Sequence, residues 1–229
     1  MLKKYPQFSF AFAIVFFAEL IAITTNLKEL TFVTKPFITI SLMLFVYFTI
    51  KRKSRFTNKV LIGLSFSLLG DVFLMFPHVN ELYFMLGLGS FLIAHSFYIS
   101  AFYLDSTNKI EVEKRYVLPI FLVFGFFCMS YYMILRPNLG NMNIPVLVYS
   151  FVITLMAIMA ALRYGKTNTK SFAWILLGAI LFMVSDSILA YNKFVERMEI
   201  GDLLIMATYM LAQFLIAMGT VERKFVKKN

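Results

Sequence analysis

The sequence predicts an all-α fold, a polytopic membrane helix bundle with eight transmembrane helices. Of the 229 residues, 60% are hydrophobic and 15% are charged, whereas a soluble domain is about half apolar and a quarter charged. At ~20 residues per span, this length accommodates eight helices with short loops. No room is left for a separate soluble domain, so residues 1–229 are expected to form a single integral-membrane domain.

Eight apolar runs of helix length can be placed along the chain. They are predicted at residues 8–25, 36–50, 60–76, 83–104, 116–135, 144–163, 171–192 and 202–221. The first run is too long for a cleavable signal peptide and contains Glu19, so it is interpreted as a span. Pro36 is expected in the first turn of the second helix, where its missing N–H costs no hydrogen bond.

The basic residues report topology and not nucleic-acid binding. The net charge is +10, but the Lys and Arg residues are scattered between the apolar runs. With the N-terminus inside, cytoplasmic segments carry 17 of them and the opposite segments carry 5. Both termini are therefore expected in the cytoplasm, with anionic lipid headgroups as the partners of this charge. The high Phe and Lys content and the short loops indicate a bacterial inner membrane.

A glycine and aspartate pattern occurs twice in the chain, 115 residues apart. Asp71 and Asp186 each follow a glycine by eight residues and directly follow a small residue. The offset maps the third span onto the seventh. Residues 1–105 and 116–221 would then be two parallel four-helix repeats related by an axis along the membrane normal. Chance similarity between helices rich in Gly and Leu is the alternative.

Polar side chains at membrane depth are expected to mark a functional site, because ionisable groups in hydrocarbon are costly. Asp71 and Asp186 lie about five residues, ~8 Å, from the same end of their helices, with Glu19 at a similar level and His95 near mid-membrane. Together they predict one polar cavity in the outer half of the membrane. The alternatives are that Glu19 snorkels to the interface and that His95 is a satisfied core residue.

The motifs of other common active sites are absent, which leaves acid–base chemistry as the interpretation of these polar groups. Two histidines, His78 and His95, cannot form a three-histidine zinc site, and the single Cys128 excludes a disulfide framework. No G-x-S-x-G elbow or glycine-rich phosphate loop is present. No metal and no cofactor are therefore expected. Paired carboxylates in a low-dielectric cavity suit one group that stays protonated as a general acid and one that stays ionised.

At these positions the sequence resembles the YhhN family of membrane lysoplasmalogenases. The motifs that carry the resemblance are Lys35-Pro36, Ser67-Leu-Leu-Gly70-Asp71-x-x-Leu74, Gly87-x-x-x-Phe91-x-x-x-His95-x-x-Tyr98, Gly178-Ala179-x-x-Phe182-x-x-Ser185-Asp186-x-x-Leu189-Ala190 and Tyr209-x-x-x-Gln213. The resemblance implies hydrolysis of the vinyl ether bond of a lysophospholipid substrate, which gives a fatty aldehyde and a glycerophospho-choline or -ethanolamine. It implies active-site roles above all for Asp71, His95 and Asp186.

Roles can be assigned on that basis. Asp71 and Asp186 would be the acid and the cation-stabilising carboxylate, in an order left open, and His95 would orient one of them or shuttle the proton. Lys35 would hold the lipid phosphate. The remaining substrate-binding candidates are Glu19, Tyr98, Ser185, Tyr209 and Gln213. Tyr209 and Gln213 have an alternative role as interhelical hydrogen-bond partners.

Two competing functions use the same features. A proton-coupled transporter of a small molecule or lipid also has parallel repeats and intramembrane acids, and a non-catalytic lipid-binding scaffold is the other alternative. A carrier needs access from both faces of the membrane. The acids are predicted in one leaflet, which favours an enzyme that a lipid enters laterally.

Overall fold

The computed structural model describes residues 4–76, 80–107 and 114–226, which form eight α-helices. The helices are α1 (Pro6–Thr24), α2 (Lys28–Thr49), α3 (Arg55–Phe73), α4 (Glu81–Ser106), α5 (Val117–Leu135), α6 (Asn143–Ala161), α7 (Thr169–Phe194) and α8 (Gly201–Val221). All eight are long and apolar enough to cross a membrane. The all-α, eight-span prediction is confirmed. The predicted loop residue His78 lies outside the described residues.

Helix boundaries follow the predicted spans within two residues, except in α2 and α3. The predicted start of the second helix at Pro36 is wrong: α2 begins at Lys28, so Pro36 lies inside the helix. A proline is tolerated within a membrane helix when neighbouring groups satisfy the carbonyl it leaves free. The start of α3 is five residues earlier than predicted, because Ser54 caps it by accepting a hydrogen bond from the Thr57 N–H at 3.2 Å.

Three helices of each half make corresponding contacts. The most extensive helix contacts are those of α3 with α4 and of α7 with α8. Beside them, α2 packs on α3 and α8, while α6 packs on α7 and α4. In these main contacts, α2, α3 and α4 have the neighbours that correspond to those of α6, α7 and α8. The repeat halves stay a prediction.

Small residues allow the close approach of these helix pairs. An added methyl group on Gly178 would lie 2.9 Å from the Ala212 carbonyl oxygen of α8. On Gly63 it would lie 2.6 Å from the Tyr98 ring of α4. In both pairs a glycine lets a neighbouring helix come within van der Waals contact of the backbone. The aspartate eight residues further on is thereby held near the centre of the bundle.

The first helix of each half packs differently. Helix α1 is closed against α8 by Phe12, whose ring centroid is 4.7 Å from that of Phe214. Helix α5 packs on α6 and α7 but has only Leu135 buried. A mostly apolar cleft, called here the α4–α5 cleft, separates it from α4. Helix α1 is therefore packed against α8, whereas the corresponding helix α5 is separated from α4 by this narrow cleft.

A buried ionic cluster lies at the end of the bundle that holds the chain termini. Asp105 at the end of α4 and Arg163 after α6 are both fully buried, with Arg163 Nε 2.9 Å from Asp105 Oδ2. Arg223, after α8, donates to the same carboxylate. The cluster ties α4, α6 and α8 together. The opposite end of the bundle, where α7 ends and α8 begins, is called the distal end below.

Candidate active site

Asp186 on α7 is the carboxylate that reaches the α4–α5 cleft. Its side chain is 10% exposed and forms part of the cleft wall together with Tyr149 of α6. The Tyr149 hydroxyl donates a hydrogen bond to Asp186 Oδ2. The apolar residues around them include Leu88, Met183 and Ala190. Asp186 is thus held by a phenol while it remains accessible from the cleft.

His95 of α4 stands directly behind this carboxylate. Its Nε2 is 3.8 Å from Asp186 Oδ2, beyond direct hydrogen-bond range but close enough for a small shift or a bridging water to connect them. The side chain is fully buried, and neither ring nitrogen has a hydrogen-bond partner among the described residues. The rings of Phe182 and Tyr149 pack edge-on against it at centroid distances of 4.6 and 5.5 Å. A free imidazole beside a carboxylate is placed to pass a proton.

Asp71 of α3 lies in a second, fully enclosed cluster. It is 1% exposed, and its Oδ2 accepts hydrogen bonds from Tyr209 at 2.6 Å and from Thr39 at 3.0 Å. Gln213 donates to the Tyr209 oxygen at 3.2 Å and accepts from the Tyr98 hydroxyl at 2.9 Å. The structure therefore brings together Asp71 and three other predicted residues, held by α2, α3, α4 and α8.

Aromatic rings divide the two aspartate clusters. The Phe182 ring contacts both His95 and Tyr209, at centroid distances of 4.6 and 5.4 Å. The α4–α5 cleft is lined by Asp186 but not by Asp71 or His95. The predicted single polar cavity is therefore wrong, because aromatic side chains fill the space between the acids. The two clusters nevertheless meet at one ring, because His95 beside Asp186 and Tyr209 beside Asp71 both contact Phe182.

The other predicted residues lie away from the cleft. Glu19 of α1 is fully buried; the Thr34 hydroxyl donates to one carboxylate oxygen, and the other has no partner in the described part of the chain. Lys35 is half-buried and directly follows Thr34 in α2. Ser185 is buried and donates to a backbone carbonyl of α8 at 2.9 Å, which ties α7 to α8.

Sequence reasoning missed Thr39 and Tyr149. A single Thr or Tyr within an apolar span is common and carries no signal by itself. The signal lies in the correspondence of the halves: Asp71 is bonded from α2 and α8, and Asp186 is approached from the corresponding helices α6 and α4. A search for polar residues at matched positions of α2 and α6 would have found both.

The comparisons with known proteins agree with this architecture. The YhhN family model matches residues 30–220 of the chain. The chain belongs to the YhhN family. The resemblance predicted from the sequence motifs is thereby confirmed, and the match extends from the start of α2 almost to the end of α8.

Relatives of this YhhN-family chain include animal and bacterial proteins. It is 34% identical over 174 residues to lysoplasmalogenase TMEM86A of Homo sapiens, which covers 73% of this chain and 67% of the relative. Lysoplasmalogenase TMEM86B of Homo sapiens is 30% identical over 163 residues, 71% of this chain and 63% of that protein. A lysoplasmalogenase of Mycobacterium bovis is 30% identical over 141 residues, 59% and 50% of the two chains. No solved structure matches the chain.

Within the described residues, no group of three or more His, Cys, Asp or Glu side chains is placed to hold a metal ion. The polar groups at Asp186 are its own carboxyl, the Tyr149 phenol and, 3.8 Å away outside the cleft lining, the His95 imidazole. Groups of these types can transfer protons.

Proposed function

We propose that this integral, multi-pass membrane protein is a lysoplasmalogenase. It hydrolyses the vinyl ether bond of alkenyl-glycerophosphocholine or -ethanolamine to a fatty aldehyde and the glycerophospho-alcohol. The names of its relatives support the substrate class. The observation that carries the proposal is the placement of Asp186, a carboxyl that is accessible from a lateral apolar cleft and backed by Tyr149 and His95.

Vinyl ether hydrolysis begins with protonation of carbon. A proton adds to the β-carbon of the C=C–O unit, and the positive charge is shared between the α-carbon and the ether oxygen as an oxocarbenium ion. Water adds to the α-carbon and loses a proton, which gives a hemiacetal. Its C–O bond to glycerol then breaks to release aldehyde and alcohol. The reaction needs one proton donor, one group to take a proton from water, and a negative charge near the cation, as in glycosidases.

Asp186 supplies the first two functions. In its protonated form it donates to the β-carbon, and the carboxylate that results takes the proton from the attacking water. Tyr149 fixes the orientation of this carboxyl through its hydrogen bond. His95, 3.8 Å away and not part of the cleft lining, exchanges protons with Asp186 through a water molecule.

Asp71 acts through its charge and not by contact with the lipid. Hydrogen bonds from Tyr209 and Thr39 stabilise it as a carboxylate. A negative charge behind the Phe182 ring favours the oxocarbenium ion over the neutral substrate, and in a low-dielectric interior such interactions act over longer distances than in water. Tyr98 and Gln213 hold Tyr209 in place and are positioning residues. We assign no contact with the lipid to Glu19, Lys35 or Ser185.

The α4–α5 cleft supports lateral entry of the lipid. Its volume of about 40 Å³ holds a few water molecules and no alkyl chain, so the described conformation is closed. Helix α5 is exposed along most of its length, with one residue buried, so it can move away from α4 at little cost in packing. A lipid in the bilayer would already be in contact with the α4–α5 cleft, where the two helices must separate.

The decisive experiment measures aldehyde release by the purified protein from a 1-alkenyl lysophospholipid. The wild type is expected to release aldehyde, and Asp186→Asn is expected to lose about 100- to 10,000-fold in kcat, because the amide cannot donate a proton to carbon. Glu29→Gln, an exposed carboxylate in the first turn of α2, is the matched control and keeps full activity. Retained turnover in folded Asp186→Asn contradicts the assignment. A transporter or a scaffold would release no aldehyde.

We also propose that both termini are cytoplasmic and that the membrane is a bacterial inner membrane. The charge count of 17 to 5 supports the orientation. The distal end then faces the outside, and the α4–α5 cleft takes its lipid from the outer leaflet. A C-terminal reporter that is active only in the cytoplasm tests this topology; activity of a periplasm-specific reporter at that position contradicts it.

A further inference from the structure

A second cavity adjoins the α4–α5 cleft at the distal end of the bundle. It is wider and more open than the cleft, with a volume of about 580 Å³. Tyr131 of α5 and Ser187 of α7 line both cavities, and the Tyr131 hydroxyl donates to the Ser187 backbone carbonyl at their junction. The two cavities are therefore neighbours, and the distal one adds charged side chains to its lining.

The walls of this distal pocket carry charges of both signs. Glu196, Arg197 and Glu199 line it in the loop between α7 and α8, together with Tyr191 near the end of α7. Their formal charges add to −1. Arg197 is 78% exposed and lies 3.8 Å from Asp202, which does not line the pocket. Two carboxylates beside one guanidinium match a headgroup that has both an amine and a phosphate.

The loop that carries these charges is anchored and not free. The Met198 N–H donates to Asn192 Oδ1 at 2.7 Å, and the Asn192 side-chain N–H donates to Asp202 Oδ1 at 3.3 Å. An added methyl group on Gly201 would lie 2.7 Å from Asn192 Oδ1. The charged side chains therefore project from a loop with a fixed backbone.

The rise of α7 from Asp186 to Tyr191, which lines the pocket, is comparable with the length of the link between a lysolipid phosphate and its vinyl ether. Tyr191 follows Asp186 by five residues on α7, which is about 7.5 Å along the helix axis. In a lysoplasmalogen, the chain of bonds from the phosphorus through glycerol to the vinyl carbons spans about 9 Å when extended. A lipid whose phosphate lies at the level of Tyr191 would therefore have its vinyl ether at about the level of Asp186 along α7.

We propose that the distal pocket is the headgroup site and selects zwitterionic lysolipids, with Glu196 and Glu199 binding the amine and Arg197 the phosphate. This inference rests on the proposed function for the identity of the lipid but not for the test of binding. An anionic headgroup without an amine places its charge against two carboxylates. Charge complementarity therefore favours choline or ethanolamine headgroups over phosphoglycerol or a bare phosphate.

The native Cys128 provides a binding assay that does not depend on catalysis. It is the only cysteine in the sequence, is half-buried, and lines the α4–α5 cleft. Maleimide labelling of purified protein is measured with increasing 1-O-alkyl lysophosphocholine, whose saturated ether has no double bond to protonate. The matched anionic probe is 1-O-alkyl lysophosphoglycerol. The phosphocholine probe is expected to slow labelling at about tenfold lower concentration, since charge-assisted contacts of this kind account for such a difference.

Substitution of the carboxylates identifies the source of the preference. In the double variant Glu196→Gln/Glu199→Gln the two probes are expected to protect Cys128 equally, and Arg197→Gln is expected to weaken both. Glu81→Gln, an exposed carboxylate at the start of α4 that does not line the pocket, keeps the wild-type preference. With the alkenyl substrate, the double variant raises KM and leaves kcat unchanged.

The two proposals fail separately. Equal protection by both probes in the wild type, or a preference that survives in the double variant, overturns the headgroup site even if aldehyde is released. Selective protection that depends on the carboxylates, without any aldehyde release by the wild type, supports the headgroup site and overturns the proposed hydrolase.

Discussion

At the scale of single residues, a tyrosine hydroxyl holds each aspartate, but the two carboxylates have different surroundings. Tyr149 binds a carboxylate that opens to the cleft, so water or substrate can replace a lost hydrogen bond there. Tyr209 binds one that is 1% exposed. Loss of a partner in an enclosed site leaves a buried acceptor unsatisfied. Loss of the tyrosine hydroxyl is therefore expected to affect mainly activity at Asp186 and mainly stability at Asp71.

The variant Tyr209→Phe tests this difference. It removes the 2.6 Å hydrogen bond to Asp71 and the acceptor of the Gln213 amide, so we expect a loss of about 1–3 kcal/mol in the free energy of unfolding. Thermal unfolding in detergent measures it. Tyr164→Phe, at a residue 49% exposed, is the control and should change stability by less than about 0.5 kcal/mol. An unchanged melting temperature in Tyr209→Phe contradicts the enclosed cluster.

At the scale of helices, the position of each aspartate depends on a glycine contact two turns away. Gly178 and Asp186 are on the same helix, and Gly178 fixes how closely α7 approaches α8. The neighbour at Gly178 is a backbone carbonyl, which a side-chain rotation cannot displace. At Gly63 the neighbour is the Tyr98 ring. Helix α7 is thus set against α8 more rigidly than α3 is set against α4.

The substitution Gly178→Ala is expected to separate α7 from α8 and to lower the free energy of unfolding by about 1–3 kcal/mol, because the added methyl overpacks the contact. The displacement should also lower kcat, because it shifts Asp186. In Gly125→Ala the new methyl meets nothing within 4 Å, and alanine favours a helix over glycine, so stability is kept or raised. Equal melting temperatures for the two variants would show that the helices are not in contact at Gly178.

At the scale of the whole molecule, one carboxylate joins segments that are far apart in the chain. Asp105 lies between Arg163 and Arg223, and all three are at the ends of helices. Both partners of Asp105 come from the second half of the chain. The cluster is therefore a link between the two halves of the chain at the end opposite to the distal end.

Removal of the charge in Asp105→Asn leaves two guanidinium groups without a counter-ion, and we expect a loss of about 3–5 kcal/mol in the free energy of unfolding. Glu222→Gln is the control. It breaks a pair with Lys4, whose side chain is 55% exposed, and should cost at most about 1 kcal/mol. Denaturant unfolding of both variants measures the difference. A small effect in Asp105→Asn would mean that water reaches the cluster.

Much of the fold follows from the sequence, because hydropathy and helix length are local properties. Six helices begin and end within two residues of their predicted spans. The predicted start of α2 is wrong because Lys28, Glu29 and Lys35 reduce the local hydropathy, although the helix continues through them. Pro36 was then interpreted as a start. A proline fixes its own backbone angle and does not by itself distinguish the first turn from the interior of a membrane helix.

Only part of the site can be predicted from the sequence, because only some of its features are local properties of the chain. Asp71, Asp186 and His95 stand out because polar groups in an apolar helix are rare. Their partners depend on how helices rotate and cross, which is a property of the whole bundle. Hence Tyr149 was missed. Phe182, a member of a conspicuous motif, was not recognised as the ring that divides the two clusters.

The position of the α4–α5 cleft beside the distal pocket would also separate the two products of the proposed reaction. The fatty aldehyde would be left in the cleft beside α5 and partition into the bilayer. The glycerophospho-alcohol would be left in the distal pocket and dissolve in water. Each product is released into the solvent that it prefers, and neither has to pass the other. After cleavage, the aldehyde is in the bilayer and the glycerophospho-alcohol is in water. Because the two products are then in different solvents, their release should oppose the reverse reaction.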